Sequence, residues 1–286
     1  MREKAAFHRA APTWCPGCGL YGVFDALKRA AAALDLEPEN LVTVTGIGCH
    51  GRMNNYLLGY GFHGLHGRTM PVATGIKLAN PALRVIAVSG DGDAYSIGLG
   101  HFIQTVRKNI GITYIVSDNR LYALTQGQVS PTSDFGAVTL STPFGSKDFP
   151  IDGPTLAFAA GGTFIARGFS GEVPELASLI ERGLRHKGFS LINVLSPCVT
   201  HNKLNSYDWF RKHIFHLGDD PAYDPGDRAK AWAALSQPEK IAAGLIYQED
   251  KPGFEELMLT DPRRAIGLEE LRVEAGRLDK IMEKFR

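Results

Sequence analysis

The stretch Gly90-Asp91-Gly92-Asp93, with Asn119 lying 28 residues after Asp91, has the residue types and spacing to hold a diphosphate and a divalent cation. Leu83 to Ser89 is apolar and rich in β-branched residues, as a buried parallel strand is, and it empties into the glycine turn. Glycine there lets the backbone approach a ligand closely. Ser96 to Asn109 has helical length, and Ile112 to Ser117 is a second buried-strand run that ends at Asp118-Asn119. In such a β-turn-α-β unit the strands are parallel and their carboxyl ends lie side by side, so Asp91 and Asn119 converge. Mg²⁺ takes about six hard oxygens in near-octahedral geometry. The Asp91 carboxylate, the Asn119 amide oxygen and the Leu121 carbonyl supply part of that shell and leave positions for diphosphate oxygens and water. Tight glycine turns also occur without any ligand; the spacing to Asn119 is what favours a site.

The four cysteines are Cys15 and Cys18, in Trp14-Cys15-Pro16-Gly17-Cys18-Gly19, and the isolated Cys49 and Cys198. A C-x-x-C turn with two scattered thiols suits a [4Fe-4S] cluster, which takes one thiolate per iron. Structural zinc, the nearest rival, usually presents its thiolates as two close pairs. A redox C-x-x-C needs a thioredoxin-like context that this glycine-flanked turn does not supply. The plain alternative is four reduced thiols, with Cys49 and Cys198 merely buried. Position favours the cluster. Cys49 follows the strand-like run Leu41 to Thr45, in Gly46-Ile47-Gly48-Cys49-His50, and Cys198 follows Ser190 to Leu195, in Ser196-Pro197-Cys198. Parallel strands deliver their carboxyl ends to one edge, so both thiols arrive where the diphosphate site lies.

The elements that must position these residues alternate. Helices are expected over 21–34, 70–79, 97–109, 155–160 and 173–186, and strands over 41–45, 84–89, 112–117, 163–166 and 190–195. Strands separated by helical segments give an α/β, doubly wound parallel sheet. The loop 121–154 is rich in Gly, Ser, Thr and Pro, and loops of that length are usually functional or in contact with a partner. Residues 1–199 are read as the cofactor domain, and 200–286 as an irregular or helical C-terminal extension packed on it and on a partner subunit. The extension ends in an amphipathic stripe of Leu271, Leu278, Ile281 and Phe285.

GDG followed by Asn after this interval is the thiamine-diphosphate fingerprint, and the longer reading, GDGD through DNRLYALTQGQVSPT, resembles the β subunit of 2-oxoacid:ferredoxin oxidoreductases. WCPGCG, GIGC and the SPC after the last strand match the same family. The resemblance implies a sheet of the thiamine-diphosphate-binding type. It implies Mg²⁺ on Asp91, Asn119 and Leu121, and one [4Fe-4S] cluster on Cys15, Cys18, Cys49 and Cys198. It further implies cofactor contacts from Ile47, Gly48, Cys49, His50, His66, Gly90, Gly92, Asp93, Ala123 and Leu124.

In the family the FHxLHGR element, here Phe62 to Arg68, faces thiamine diphosphate, so His66 is expected on the diphosphate or the reacting centre. His50 and Arg52, just past Cys49, are placed to hold a 2-oxo acid's carboxylate. His50, His66 and Arg52 are thus the expected catalytic set. A metal on His63 and His66 lacks a third ligand at standard spacing, and His63 is read as fixing its loop. The family often has Lys in a T-K-G-Q element where this chain has Gln126, a departure that bears on specificity.

Thiamine diphosphate supplies a carbanion that adds to a 2-oxo carbon and drives loss of CO₂. The resemblance supplies the rest: an adjacent cluster takes electrons singly, coenzyme A collects the acyl group and ferredoxin is reduced. 2-Oxoglutarate is expected ahead of pyruvate. The alternatives are a non-oxidative decarboxylase or synthase subunit with structural zinc, and a noncatalytic iron-sulfur scaffold.

Activating the cofactor takes a carboxylic acid, nearly always Glu, against its aminopyrimidine ring. Between Glu39 and Glu172 the chain has no glutamate. The family's α subunit is therefore expected to complete the site, giving an αβ pair and, by two-fold symmetry, α2β2.

Composition narrows the rest. At 286 residues and 44% hydrophobic the chain can bury a large core, and its net charge of +1 shows no basic stripe for nucleic acid. No apolar run approaches the ~20 residues of a membrane span, and the N-terminal segment lacks a signal-peptide core. A cytoplasmic location, where thiols stay reduced, is expected.

Overall fold

The computed structural model describes residues 2–258 together with 282 and 283. In chain order the elements are α1 (Leu20–Ala33), β1 (Leu41–Thr45), α2 (Met53–Tyr56), β2 (Tyr60–His63), α3 (Thr69–Ala79), β3 (Arg84–Gly90), α4 (Leu99–Lys108) and β4 (Ile112–Asp118). There follow β5 (Leu121–Tyr122), β6 (Gln128–Val129), α5 (Gly153–Ala159), β7 (Phe164–Phe169), α6 (Val173–Arg185) and β8 (Ser190–Leu195). The chain continues with α7 (Tyr207–His213), β9 (Ile214–His216), α8 (Arg228–Leu235), β10 (Ile241–Gln248) and α9 (Phe254–Met258).

The main sheet has eight strands in the order β2-β1-β3-β4-β8-β7-β10-β9. Every residue of β1, β4, β7 and β8 is buried, as continuous apolar runs require when helices cover both faces. On one face α1 and α6 pack Val23, Phe24 and Leu27 with Leu176, Ile180 and Leu184. On the other, Met70, Phe102, Val106, Ala157 and Ala231 from α3, α4, α5 and α8 form a second layer. Parallel pairing of β1, β3, β4 and β8 aligns the carboxyl ends, with Gly90 opposite Ser117 and Asp118 opposite Leu195.

Three departures from the expected elements have physical causes. Tyr60–His63, expected within a loop, pairs with β1 as an exposed edge strand; backbone pairing rather than burial holds it, so no apolar run marks it. After Asp93 the chain makes one wide π-type turn, Asp93–Ile97, closed by Gly98 N–H donating to the Asp93 carbonyl at 3.2 Å, before α4 begins. Beyond residue 200 the expected helical pieces are joined by two strands. β10 (IAAGLIYQ), buried through its interior, runs antiparallel to β7, and β9 pairs with β10. Leu271, Leu278, Ile281 and Phe285 lie outside the described residues. Among the described residues no helix is long and apolar enough to cross a membrane.

Candidate cofactor and cluster site

The carboxyl ends of β1, β3 and β4 open into a cavity of about 220 Å³. Ile47, Gly48, Cys49 and His50 line it from the end of β1; Gly90, Asp91, Gly92 and Asp93 from the end of β3; Asn119, Leu121, Ala123 and Leu124 from the end of β4; and His66 from the loop after β2. All residues expected at the diphosphate and Mg²⁺ site thus share one cavity. Arg52 does not join them. It lies at the cysteine cavity described below, with Nη1 donating to Thr13 Oγ1 at 2.8 Å.

Asp91 is almost fully buried, and its Oδ2 accepts from the hydroxyls of Ser130 and Thr132. Burial pushes its carboxyl up to about 7, and the neighbouring Asp118 carboxylate adds to the rise. Burial raises Asp118 as well, against the opposing pull of Arg120. Two buried carboxylates bridged by the Thr132 hydroxyl favour a bound cation, and Asn119 stands next in the chain with its Oδ1 accepting from Leu121 N–H at 3.0 Å. The donor set, hard oxygens only, suits Mg²⁺.

Asp93, expected as a cofactor contact, lines the cavity but is mainly the knot of the site. Its Oδ1 accepts from Gly67 N–H (2.7 Å), His66 Nδ1 (2.8 Å) and Ile47 N–H (3.3 Å). Its Oδ2 accepts from the hydroxyls of Thr69 and Ser89. Donation from Nδ1 fixes the His66 ring and leaves Nε2 as its free nitrogen.

His50 is buried, and its Nε2 has no hydrogen-bond partner, lying 3.8 Å from Asp93 Oδ2. Burial drives its pKa down to about 4, partly countered by Asp93 and helped by His63 and His66. His50 lines the cavity, but this nitrogen is sealed from solvent beside Asp93, so the ring serves the site as a neutral wall.

The glycines of the cavity also have close protein neighbours. A Cβ on Gly48 would sit 2.4 Å from the His50 ring, one on Gly90 3.0 Å from His50 Nδ1, and one on Gly92 2.1 Å from the Tyr122 ring. They make room for protein side chains that wall the cavity.

A second cavity, of about 190 Å³, is lined by Cys15, Cys18, Cys49 and Cys198 together. Three chain segments are fastened around it. Cys18 N–H donates to the Cys15 carbonyl (3.0 Å), Gly19 N–H to the Pro197 carbonyl (3.1 Å), and Trp14 Nε1 to the Cys49 carbonyl (2.8 Å). A Cβ on Gly19 would meet Ser196 Oγ at 2.4 Å, which accounts for glycine there. Burial pushes the Cys18 thiol up to about 11, and the other three sulfurs add to it. Cys49 is raised by burial and by its neighbouring thiols, with Arg52 pulling the other way.

Tetrahedral zinc, with Zn–S bonds of about 2.3 Å, draws its sulfurs to within ~4 Å of one another. Among the described residues, the potential ligand atoms gathered within 4.8 Å are those of Glu172, Glu175 and His216, and no trio of the cysteines is so close. The four thiols enclose a space that suits a cluster better than a single ion.

The two cavities share a wall. Leu20, Cys49, Asn119, Ala123 and Leu124 line both. Sequence reasoning missed Ser130, Thr132 and Asn202, which buttress the site from loops. Asp118, at the end of a strand already identified, was open to detection from its position.

Residues 46–194 match the family described as thiamine pyrophosphate enzyme, C-terminal TPP binding domain, and the site described above belongs to that class. Residues 198–260 match the family of C-terminal regions of pyruvate ferredoxin oxidoreductase beta subunits. The β subunit of 2-oxoacid:ferredoxin oxidoreductase 2 from Aeropyrum pernix is 41% identical over 254 residues, covering 85% of this chain and 82% of that one. The 2-oxoglutarate synthase subunit KorB of Methanocaldococcus jannaschii is 34% identical, covering 85% and 90%. A solved structure, 2-oxoglutarate:ferredoxin oxidoreductase from Magnetococcus marinus with 2-oxoglutarate, coenzyme A and succinyl-CoA bound, superposes with a TM-score of 0.90 at 33% identity, covering 100% of this chain and 96% of its own. The chain belongs to the β subunits of the 2-oxoacid:ferredoxin oxidoreductases.

Proposed function

We propose that this β subunit holds the Mg²⁺–diphosphate end of thiamine diphosphate and a [4Fe-4S] cluster in adjoining cavities, and acts with an α subunit to oxidise 2-oxoglutarate with coenzyme A. The observation that carries the reading is the shared wall: Cys49 and Asn119, one a cluster ligand and the other a metal ligand in this proposal, each line both cavities. Bound thiamine diphosphate supplies a nucleophilic carbon and an electron sink for decarboxylation, and a neighbouring cluster accepts electrons one at a time.

This chain's residues prepare that chemistry. Asp91, Asn119 and the Leu121 carbonyl hold the cation. His66, fixed by Asp93, turns its second nitrogen to the ligand, and neutral His50 offers an uncharged wall. Arg52, at the cysteine cavity, biases the local potential in favour of thiolate at Cys49.

Among the described residues no glutamate lines the cofactor cavity, and both Asp93 oxygens are engaged, so the activating acid comes from the α subunit. Ile47 and Leu124, exposed at that cavity, together with exposed Leu65 beside His66, give the partner an apolar rim. Ferredoxin is the electron acceptor and the complex is cytoplasmic. The 2-oxoglutarate preference is supported by relatives and a structural neighbour that bear that substrate's name.

The test is dye or ferredoxin reduction by the anaerobically purified complex with 2-oxoglutarate or pyruvate, each with and without coenzyme A. We expect coenzyme A-dependent reduction with kcat/KM for 2-oxoglutarate at least tenfold above pyruvate, about 1.4 kcal/mol of discrimination. No reduction with either acid would overturn the reading, and a pyruvate preference would overturn the substrate assignment.

A further inference from the structure

The Cys198 turn and the Asn119 loop are joined by one buried amide. Asn202 donates its backbone N–H to the Cys198 carbonyl at 3.1 Å. Its Nδ2 donates to the Asn119 carbonyl (3.0 Å) and to Asn205 Oδ1 (3.0 Å). Its Oδ1 accepts from the N–H groups of Leu204 (3.1 Å) and Asn205 (2.9 Å). Both side-chain hydrogens and the acceptor oxygen are engaged, so the orientation of this buried amide is fixed.

Each end of the bridge reaches a group whose surroundings matter. In the same turn as Asn202, His201 N–H donates to Cys198 Sγ at 3.4 Å, and hydrogen bonds to a ligating sulfur tune a cluster's potential. At the other end, Asn119 Oδ1 closes a turn onto Leu121 N–H, and Arg120 between them sits in the left-handed region at φ 59°. Asn119 Oδ1 keeps a second lone pair for a cation, so loading the site pulls on the same oxygen that closes the turn, and any adjustment begins at Asn119. The Asn119 carbonyl, held by Asn202, carries the adjustment toward the Cys198 turn.

We propose that Asn202 is a positioning residue through which occupation of the Mg²⁺–diphosphate site is felt at the cluster, so that the cluster's midpoint potential depends on whether the Asn119 loop is loaded. The inference rests on the cofactor assignments of the preceding section. Linkage makes the coupling reciprocal: cluster reduction changes the affinity for Mg²⁺ and thiamine diphosphate by the same factor.

The test is a redox titration of the cluster in the intact complex, with and without saturating Mg²⁺ and thiamine diphosphate. The wild-type complex should show two different midpoints. In Asn202→Ala the difference should fall to less than half. Asn205→Ala, which leaves the Asn202-to-Asn119 bond in place, should keep it.

If Asn202→Ala fails to fold, Asn202→Asp serves, because it preserves the acceptor that holds the turn while removing the donor to Asn119. Its added charge acts on both midpoints and largely cancels in their difference. A wild-type difference retained in the Asn202 variant at full iron and cofactor content would overturn the proposal, as would a wild-type complex with both groups bound and a single midpoint. Failure of the underlying assignment would be seen separately, as absent iron or absent thiamine diphosphate in the wild type.

Discussion

Asp91 and Asp118 share a single hydroxyl: Thr132 Oγ1 lies 2.7 Å from Asp91 Oδ2 and 2.9 Å from Asp118 Oδ1. One hydroxyl has one proton and satisfies one carboxylate at a time. The pair is therefore relieved either by a proton on one acid or by a cation beside them.

Replacing Asp91 by Asn separates these two demands. The amide keeps the shape of the site and removes the buried charge, so the cofactor-free chain at pH 8 should melt no lower than wild type. Mg²⁺ and thiamine diphosphate should be lost together, with affinity down at least tenfold, about 1.4 kcal/mol. Calorimetric melting and cofactor titration check both parts; wild-type retention of both ligands would show that Asp91 is not a ligand.

The same pair sets a pH dependence. Folding raises Asp91 from an ordinary 3.8 to about 7, so between those values the folded chain binds more protons than the unfolded one. Its contribution is fully present below the lower value and is lost as pH rises through the upper. His50, lowered to about 4 from 6.5, acts with the opposite sign over its own window, where stability falls as pH drops. Subtracting the Asp91→Asn melting curve from wild type isolates the Asp91 effect. Without Mg²⁺ that difference should fall between pH 5.5 and 8, and saturating Mg²⁺ with thiamine diphosphate should abolish the fall. A flat difference without Mg²⁺ would contradict the assignment.

Changing Cys198 to Ala should remove the broad visible absorption of the cluster and abolish ferredoxin reduction. Release of CO₂ from the 2-oxo acid should survive better, because that step precedes electron transfer to the cluster. An unchanged spectrum would make Cys198 a core thiol only.

How much of this was legible in the sequence follows from what each residue has to mark it. The GDGD turn, Asn119 and the four cysteines bear chemistry of their own, and parallel strands brought them to the edge that their positions implied. Ser130 and Thr132 carry no such mark. They lie in an aperiodic loop, and only its folding shows that they grip Asp91. Asp93 was expected on the cofactor because it belongs to the motif, while its oxygens prove to be held by Gly67, His66, Thr69 and Ser89. Arg52 was grouped with His50 by adjacency, yet it turns to the cysteine cavity. β10 had an apolar run to reveal it, which the polar, proline-broken surroundings after residue 200 obscured.

Expressed alone, the chain should not turn over a 2-oxo acid, because among the described residues no glutamate lines its cofactor cavity. Adding the α subunit should restore turnover, and substituting one α-subunit glutamate should remove it again. Substantial decarboxylation by the isolated, cofactor-saturated chain would place the activating acid within this polypeptide.

That two cofactors occupy adjoining cavities of this one chain is open to direct assay. Iron, acid-labile sulfide, zinc, magnesium and thiamine diphosphate, measured together on the anaerobically purified complex and on its Cys49→Ala variant, test it most directly. We expect about four iron and four sulfide and one thiamine diphosphate per β subunit in the wild type, and loss of iron in the variant. Stoichiometric zinc in place of iron, or iron without thiamine diphosphate, would contradict it.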